Sequence, residues 1–224
     1  MMRLILASAS PRRRELLACL GIPFEVTEPR IDEGAASGHP ERVARRLAVA
    51  KARAVAARQP EAAVLAADTV VAHRGTILGK PRDAAEAGAM LRRLRGRTHR
   101  VVTAVAVLPP RRRRPLVAHA LTRVTMRRYT DEEIEASIAR GDPFDKAGAY
   151  AIQDPRLAPV ESYSGCYCNV VGLPLWTTVE LLRRAGVDIT RVPEAAMPSQ
   201  CKGCPRAGAP YGPATRAVKD SPAG

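Results

Sequence analysis

The sequence predicts an α/β fold with a mixed sheet. Short apolar runs alternate with amphipathic helical stretches along most of the chain. Hairpin signals interrupt that alternation, which a purely parallel, doubly wound sheet would not show. The periodicity then stops near Arg191, where Pro, Gly, Ala and Ser take over. This places a single domain at 1–190 and a Pro/Gly-rich tail at 191–224, expected to be disordered.

Arg3 to Ala7 is a short apolar strand. Ser10 stands where a helix N-cap belongs, with Pro11 at the first helical position, and Gly21 ends that helix. Phe24 to Thr27 is a second strand, and Pro40 to Arg58 is a long helix. Ala63 to Ala67 is a buried strand, followed by a hairpin over Val70 to Leu78 that turns at Arg74-Gly75. A helix over Asp83 to Leu94 stops near Gly96, and His99 to Leu108 pairs with Leu116 to Arg128 across a Pro-rich basic loop. Thr130-Asp131-Glu132-Glu133 is a capping box opening a helix to Arg140. Pro174 to Ala185 is the last helix, and Val187 to Ile189 reads as a short strand.

The formal net charge is +14, and 31 of the 36 basic residues are Arg. Aromatic residues make up only 4%, leaving few rings to stack on bases. Nucleic acid, for which the run Arg111 to Arg114 is the rival feature, is therefore disfavoured, and a small polyanion such as a nucleotide suits the charge equally well. No apolar run reaches the roughly 18 residues of a membrane span, and the apolar start at Met1 to Leu6 is too brief for a signal peptide. Five cysteines without a framework suit a reducing, cytoplasmic setting. Cys19 reads as a buried helix residue, and Cys166 and Cys168 alternate along a strand or loop. Cys201-Lys202-Gly203-Cys204 is a lone CxxC; zinc takes four ligands, and no second pair stands at a suitable spacing.

Candidate chemistry starts at Ser8-Ala9-Ser10-Pro11-Arg12-Arg13. A helix N-terminus offers backbone N–H groups and partial positive charge to an anion, and Arg12 and Arg13 add guanidinium forks suited to phosphate. The GxxxxGK[ST] loop is absent. Asp68 closes an apolar run and should emerge at the end of a buried strand, where it could serve as general base, metal ligand, or mere turn cap. Lys51 lies in the apolar stripe Val43, Leu47, Lys51, Val55, so it either snorkels or meets a buried anion. Lys80 follows the hairpin, and Lys146 sits in Asp145-Lys146-Ala147-Gly148-Ala149-Tyr150. Asp32-Glu33 could supply a metal ligand. The four histidines read as structural, and no nucleophile elbow is present.

Five segments, in order, resemble the Maf family of nucleoside triphosphate pyrophosphatases. They are Leu4 to Arg13, Ala67-Asp68-Thr69-Val70-Val71, Leu78-Gly79-Lys80-Pro81, Asp145 to Gln153, and Asn169-Val170-Val171-Gly172-Leu173-Pro174. The resemblance spans Arg3 to about Ile189. It implies an elongated α/β fold with a central cleft between two lobes, often dimeric. It implies hydrolysis of a nucleoside triphosphate to monophosphate and pyrophosphate, a house-cleaning reaction aided by a divalent cation, Mg²⁺ or Mn²⁺. Asp68 matches the family's proton acceptor, while Arg12, Thr69 and Gln153 match positions tied to substrate choice. That trio resembles the dTTP/UTP subgroup; a 7-methyl-GTP-type enzyme and a non-catalytic, nucleotide-binding regulator of cell division are the alternatives. Ser10, Arg12, Arg13, Lys51 and Lys80 are the expected triphosphate contacts, and Asp68 with Glu33 the expected metal ligands. Asp154-Pro155-Arg156 stands where relatives commonly place Gly, a difference that bears on the base-facing loop.

Overall fold

The computed structural model describes residues 2–32, 37–201 and 204. In chain order the elements are β1 (Leu4–Ala7), α1 (Pro11–Ala18), β2 (Glu25–Thr27), α2 (Pro40–Ala56), β3 (Ala63–His73), β4 (Thr76–Leu78) and α3 (Ala84–Leu94). They continue with β5 (Thr98–Leu108), β6 (Leu116–Met126), α4 (Asp131–Ala139), β7 (Val160–Ser164), α5 (Tyr167–Val171) and α6 (Leu175–Arg184). A seven-stranded mixed sheet runs β2-β1-β3-β5-β6-β7, with β4 also paired to β3. β1 pairs parallel with β2 and β3, and the remaining pairs are antiparallel.

Local chemistry accounts for the element ends. The Thr130 hydroxyl accepts from the Glu133 N–H while the Glu133 carboxylate accepts from the Thr130 N–H, completing the capping box of α4. Asp83 caps α3 by accepting from the Glu86 N–H at 2.8 Å. Arg74 and Gly75 both have positive φ, 50° and 80°, as the tight β3–β4 turn demands.

Strand alternation distributes β3 between two cores. Val64 and Ala66 join α2 in a cluster with Val43, Leu47 and Val55. Ala63, Leu65 and Ala67 face the opposite cluster, built with Leu16 and Leu17 of α1 and Leu175 and Leu182 of α6. Beyond Val70 the strand enters a third cluster, where Val71 and Leu78 pack with Leu91, Met126 and Tyr129. The cores therefore change along a single strand, which divides the molecule into lobes about β3. Each fully buried Leu or Ile in them contributes about 1.5–3 kcal/mol.

Four expectations are corrected. Asp68 does not end a strand: β3 runs on to His73, because β5 pairs with it continuously from Val64 to Ala72. Val187 and Ile189 are buried but lie outside any strand. Cys166 is the N-cap of α5, with extended backbone, and Cys168 lies in the first turn, so Cys168 is helical and Cys166 is not. Val192, Met197 and Cys201 are buried against the main core, so the chain from 191 to 201 packs on the domain.

Candidate active site

The site lies where β3 changes neighbours. β5 takes one edge of β3 from Val64 to Ala72. The other edge is shared: β1 takes Ala63 to Ala66, and β4 takes Val71 to His73. Between them the edge at Ala67 to Val70 opens into a cavity of about 680 Å³. That volume suits a nucleotide-sized ligand.

Asp68 and Thr69 stand in this opening and, by strand alternation, point to opposite faces of the sheet. Asp68 points toward α2 and meets Lys51, whose Nζ stands 2.5 Å from Oδ1 with both side chains buried. Lysine in an apolar stripe thus meets an anion, and each charge offsets the other's desolvation. Removing one partner of such a pair costs about 3–5 kcal/mol.

Thr69 points toward α1 and accepts from Arg13 Nη2 at 3.1 Å, while Arg13 Nε donates to the Gly172 carbonyl at 2.9 Å. Arg13 therefore ties α1 to β3 and to the turn after α5. The Thr103 hydroxyl donates to the Asn169 carbonyl at 2.7 Å, which commits its only proton. At the 2.9 Å contact between Thr69 and Thr103, Thr69 must then be the donor. With its proton spent and one lone pair taken by Arg13, Thr69 presents only an acceptor to the cavity. Asn169 is fully buried and also accepts from the Thr103 N–H and donates to Val101 and Thr122.

Arg12 crosses the opening to Asp145 at 3.0 Å, and Lys146 holds the same carboxylate at 2.5 Å. Burial pushes the Asp145 carboxyl up, but Lys146 and Arg12 together outweigh it and hold it below the usual carboxylate range. Lys80 lines the cavity from an exposed position with no side-chain partner among the described residues. Gln153 also lines it; the following Asp154 Oδ1 accepts from the Arg156 and Leu157 N–H groups, which fixes the loop around Pro155. Ser10 lines the cavity beside an α1 terminus that no side chain caps and that carries no acidic residue in its first turn.

Of the residues singled out from sequence, Ser10, Arg12, Arg13, Lys51, Asp68, Thr69, Lys80 and Gln153 all line this one cavity. Glu33 lies outside the described residues. Sequence reasoning missed Arg82, which pairs with Glu86 on the cavity wall, and the bracing pair Thr103 and Asn169. Arg82 was within reach of the Lys80 segment; Thr103 carries no signal without knowledge of its register opposite Thr69.

The sequence model of the family described as Maf-like protein matches residues 3–185. The chain belongs to the Maf-like protein family. The Maf-like match contains every residue that lines the cavity. A protein of Thermomicrobium roseum named dTTP/UTP pyrophosphatase is 61% identical over 208 residues, covering 92% of this chain and 94% of its own. That match leaves fewer residues of the chain uncovered than lie beyond Cys204, so it runs through the tail cysteines. A protein of the same name from Moorella thermoacetica is 52% identical over 190 residues, covering 84% of this chain and 98% of its own. Among solved structures, a HAM1 protein from Coxiella burnetii aligns over 58% of this chain and 75% of its own with a TM-score of 0.43 and 20% identity, too distant to carry weight. Among the described residues, no helix of this Maf-like chain is long and apolar enough to cross a membrane.

Proposed function

We propose that the chain hydrolyses dTTP and UTP, with modified pyrimidine nucleotides, to nucleoside monophosphate and pyrophosphate. The observation that carries this reading is a single cavity that gathers one buried carboxylate, Asp68, with Arg12, Lys51, Lys80, Arg82 and Lys146. The relatives' shared name supports the choice of substrate.

Asp68 acts as general base. Lys51 pairs with Oδ1, and the second oxygen accepts a proton from the water that attacks the α-phosphorus. The bond from the α-phosphorus to the bridging oxygen breaks, and pyrophosphate leaves. Ser10 with the α1 terminus, Arg12, Lys51 and Lys80 stabilise the charge that gathers on the leaving group. Thr69, an acceptor toward the cavity, and the Gln153 amide, donor and acceptor at once, complement the alternating C=O and N–H edge of uracil or thymine.

A divalent cation, Mg²⁺ or Mn²⁺, belongs to this reading. Mg²⁺ takes one or two carboxylates and fills its shell with substrate phosphates and water. Asp68 is a hard oxygen donor on the cavity wall, and no group of three metal-ligating side chains gathers among the described residues, so the donor chemistry suits that mode. Asp68 would hold the ion, with Glu33 the second candidate. When bound, the cation neutralises phosphate charge and acidifies water.

Pyrophosphate release across canonical and modified nucleotides, with and without divalent metal, tests the proposal. dTTP and UTP should be the best substrates, and Asp68→Asn should lower kcat by about 10²–10⁴-fold while keeping the native circular dichroism spectrum. Wild-type turnover by Asp68→Asn would remove the base assignment. Faster cleavage of 7-methyl-GTP, or nucleotide binding without pyrophosphate release, would replace the function.

A further inference from the structure

Four cysteines from two distant stretches of sequence meet at one place. Cys166 caps α5 and Cys168 lies in its first turn. After α6 the chain returns over the core, burying Val192 and Met197, and the 3₁₀ turn Ser199–Cys201 brings Cys201 to α5. Cys168 Sγ stands 2.6 Å from Cys201 Sγ, and Cys166 lies two residues before Cys168 at the start of the same short helix. The Cys204 N–H donates to the Cys201 carbonyl at 3.3 Å, which holds the Cys204 backbone beside Cys201. Burial first, and then Cys201, Cys166, Cys168 and Cys204, push the Tyr163 phenol above its usual pKa. Cys168 and Cys201 are buried, and Cys166 and Cys204 are half-buried.

A CxC arm and a CxxC arm facing each other present four soft ligands, the number and kind a closed structural zinc site takes. A separation of 2.6 Å is too long for a disulfide, whose sulfurs stand about 2.05 Å apart. It is also too short for two thiols that merely touch. Two sulfurs each about 2.3 Å from a tetrahedral zinc stand about 3.7 Å apart. The thiols as placed are thus not yet at ligand positions, and no three metal-ligating side chains among the described residues form a ready coordination set. Opening the Cys168–Cys201 contact by about 1 Å would admit the ion. A disulfide would use two of the four cysteines and give no reason for the other two to converge.

We propose that Cys166, Cys168, Cys201 and Cys204 bind one structural zinc ion, which staples the segment beyond α6 to α5. Binding releases the thiol protons to solvent as the four sulfurs become ligands. The staple grips the helix whose Asn169 holds Thr103, and through it Thr69, in the cavity wall. Cys166 is braced on the same network, its carbonyl accepting from the Thr122 hydroxyl at 3.0 Å. None of the four cysteines lines the cavity, so the ion is separate from any that serves hydrolysis.

The test uses the full chain without a polyhistidine tag, purified under reducing conditions, with elemental analysis as the readout. About one zinc per chain is expected. Chelation of the wild type should lower its Tm, and cobalt(II) added to the stripped protein should give the visible bands of a tetrahedral thiolate site. Cys166→Ser and Cys204→Ser, both at half-buried positions, should lose the zinc and the cobalt bands. If either variant fails to fold, chelation and reloading of the wild type decide the matter. Metal-free protein with five titratable thiols and a Tm indifferent to chelator would overturn the proposal. So would an intact mass showing a Cys168–Cys201 disulfide, or iron in place of zinc. Since no arm reads nucleotide hydrolysis, failure here leaves the pyrophosphatase reading standing.

Discussion

His99 is buried on β5, with Nε2 2.7 Å from the Tyr150 hydroxyl and Nδ1 without a hydrogen-bond partner. Burial, with a smaller contribution from neighbouring His73, lowers its pKa from 6.5 to about 4. The unfolded chain therefore binds a proton that the folded chain refuses between those two values. Stability is complete above pH 6.5 and falls as pH drops through that window, by on the order of 3 kcal/mol at the lower end. Tm measured from pH 7 to pH 4.5 should fall more steeply for the wild type than for His99→Phe, which cannot titrate. The variant starts lower because it loses the Tyr150 bond, so the slope is the readout; equal slopes would refute the assignment. His99 gave no such signal in sequence, where all four histidines looked alike. Lys51 was more legible, because a lone lysine among Val43, Leu47 and Val55 has to find an anion or reach water. What the sequence could not supply was Asp68 as that anion, since the pairing depends on which face of β3 meets α2.

At the scale of elements, the turn Ala147–Ala149 wedges the second lobe against β3. Gly148 has φ of 73°, and a Cβ there would stand 2.9 Å from Val71 Cγ1. Its N–H donates to the Gly79 carbonyl at 2.9 Å, fixing the loop that carries Lys80. Gly148→Ala should cost about 1–3 kcal/mol of backbone strain and a further ~1–3 kcal/mol of overpacking. Gly141 also has positive φ, 77°, but nothing lies within 4 Å of its Cβ position, so Gly141→Ala should bear the strain alone. Denaturant unfolding of both variants checks this, and equal losses would show that Val71 is not a constraint. Helices were readable because caps and apolar stripes are local: Asp83, Thr130 and Pro40 mark true starts. β3 was not, because a carboxylate in mid-strand looks like a strand end until β5 is known to pair along its whole length. Cys168 misled for a related reason, since period-two spacing over three residues cannot separate a strand from the start of a helix.

For the whole molecule, the domain limit near 190 was drawn where periodicity ends, yet burial continues through Val192, Met197 and Cys201. Irregular chain can pack as tightly as a helix without leaving a repeating pattern to read. Net charge, by contrast, is fully visible in sequence, and its use depends on where the charges sit. The cavity is lined by Arg12, Arg13, Lys51, Lys80, Arg82 and Lys146 against three carboxylates, within a chain of formal charge +14. A triphosphate approaching that opening is drawn by charges beyond contact range, and those are screened over about 8–10 Å at physiological salt. Lys51 and Asp68 are buried together and far less exposed to screening. Raising NaCl from about 0.05 M to about 0.5 M should therefore lower kcat/KM for the triphosphate several-fold, toward ten, while kcat changes little. Steady-state kinetics at saturating metal separates the two parameters. A fall in kcat with kcat/KM unchanged would mean that the diffuse positive field does not guide the substrate, and that salt acts on the chemical step instead.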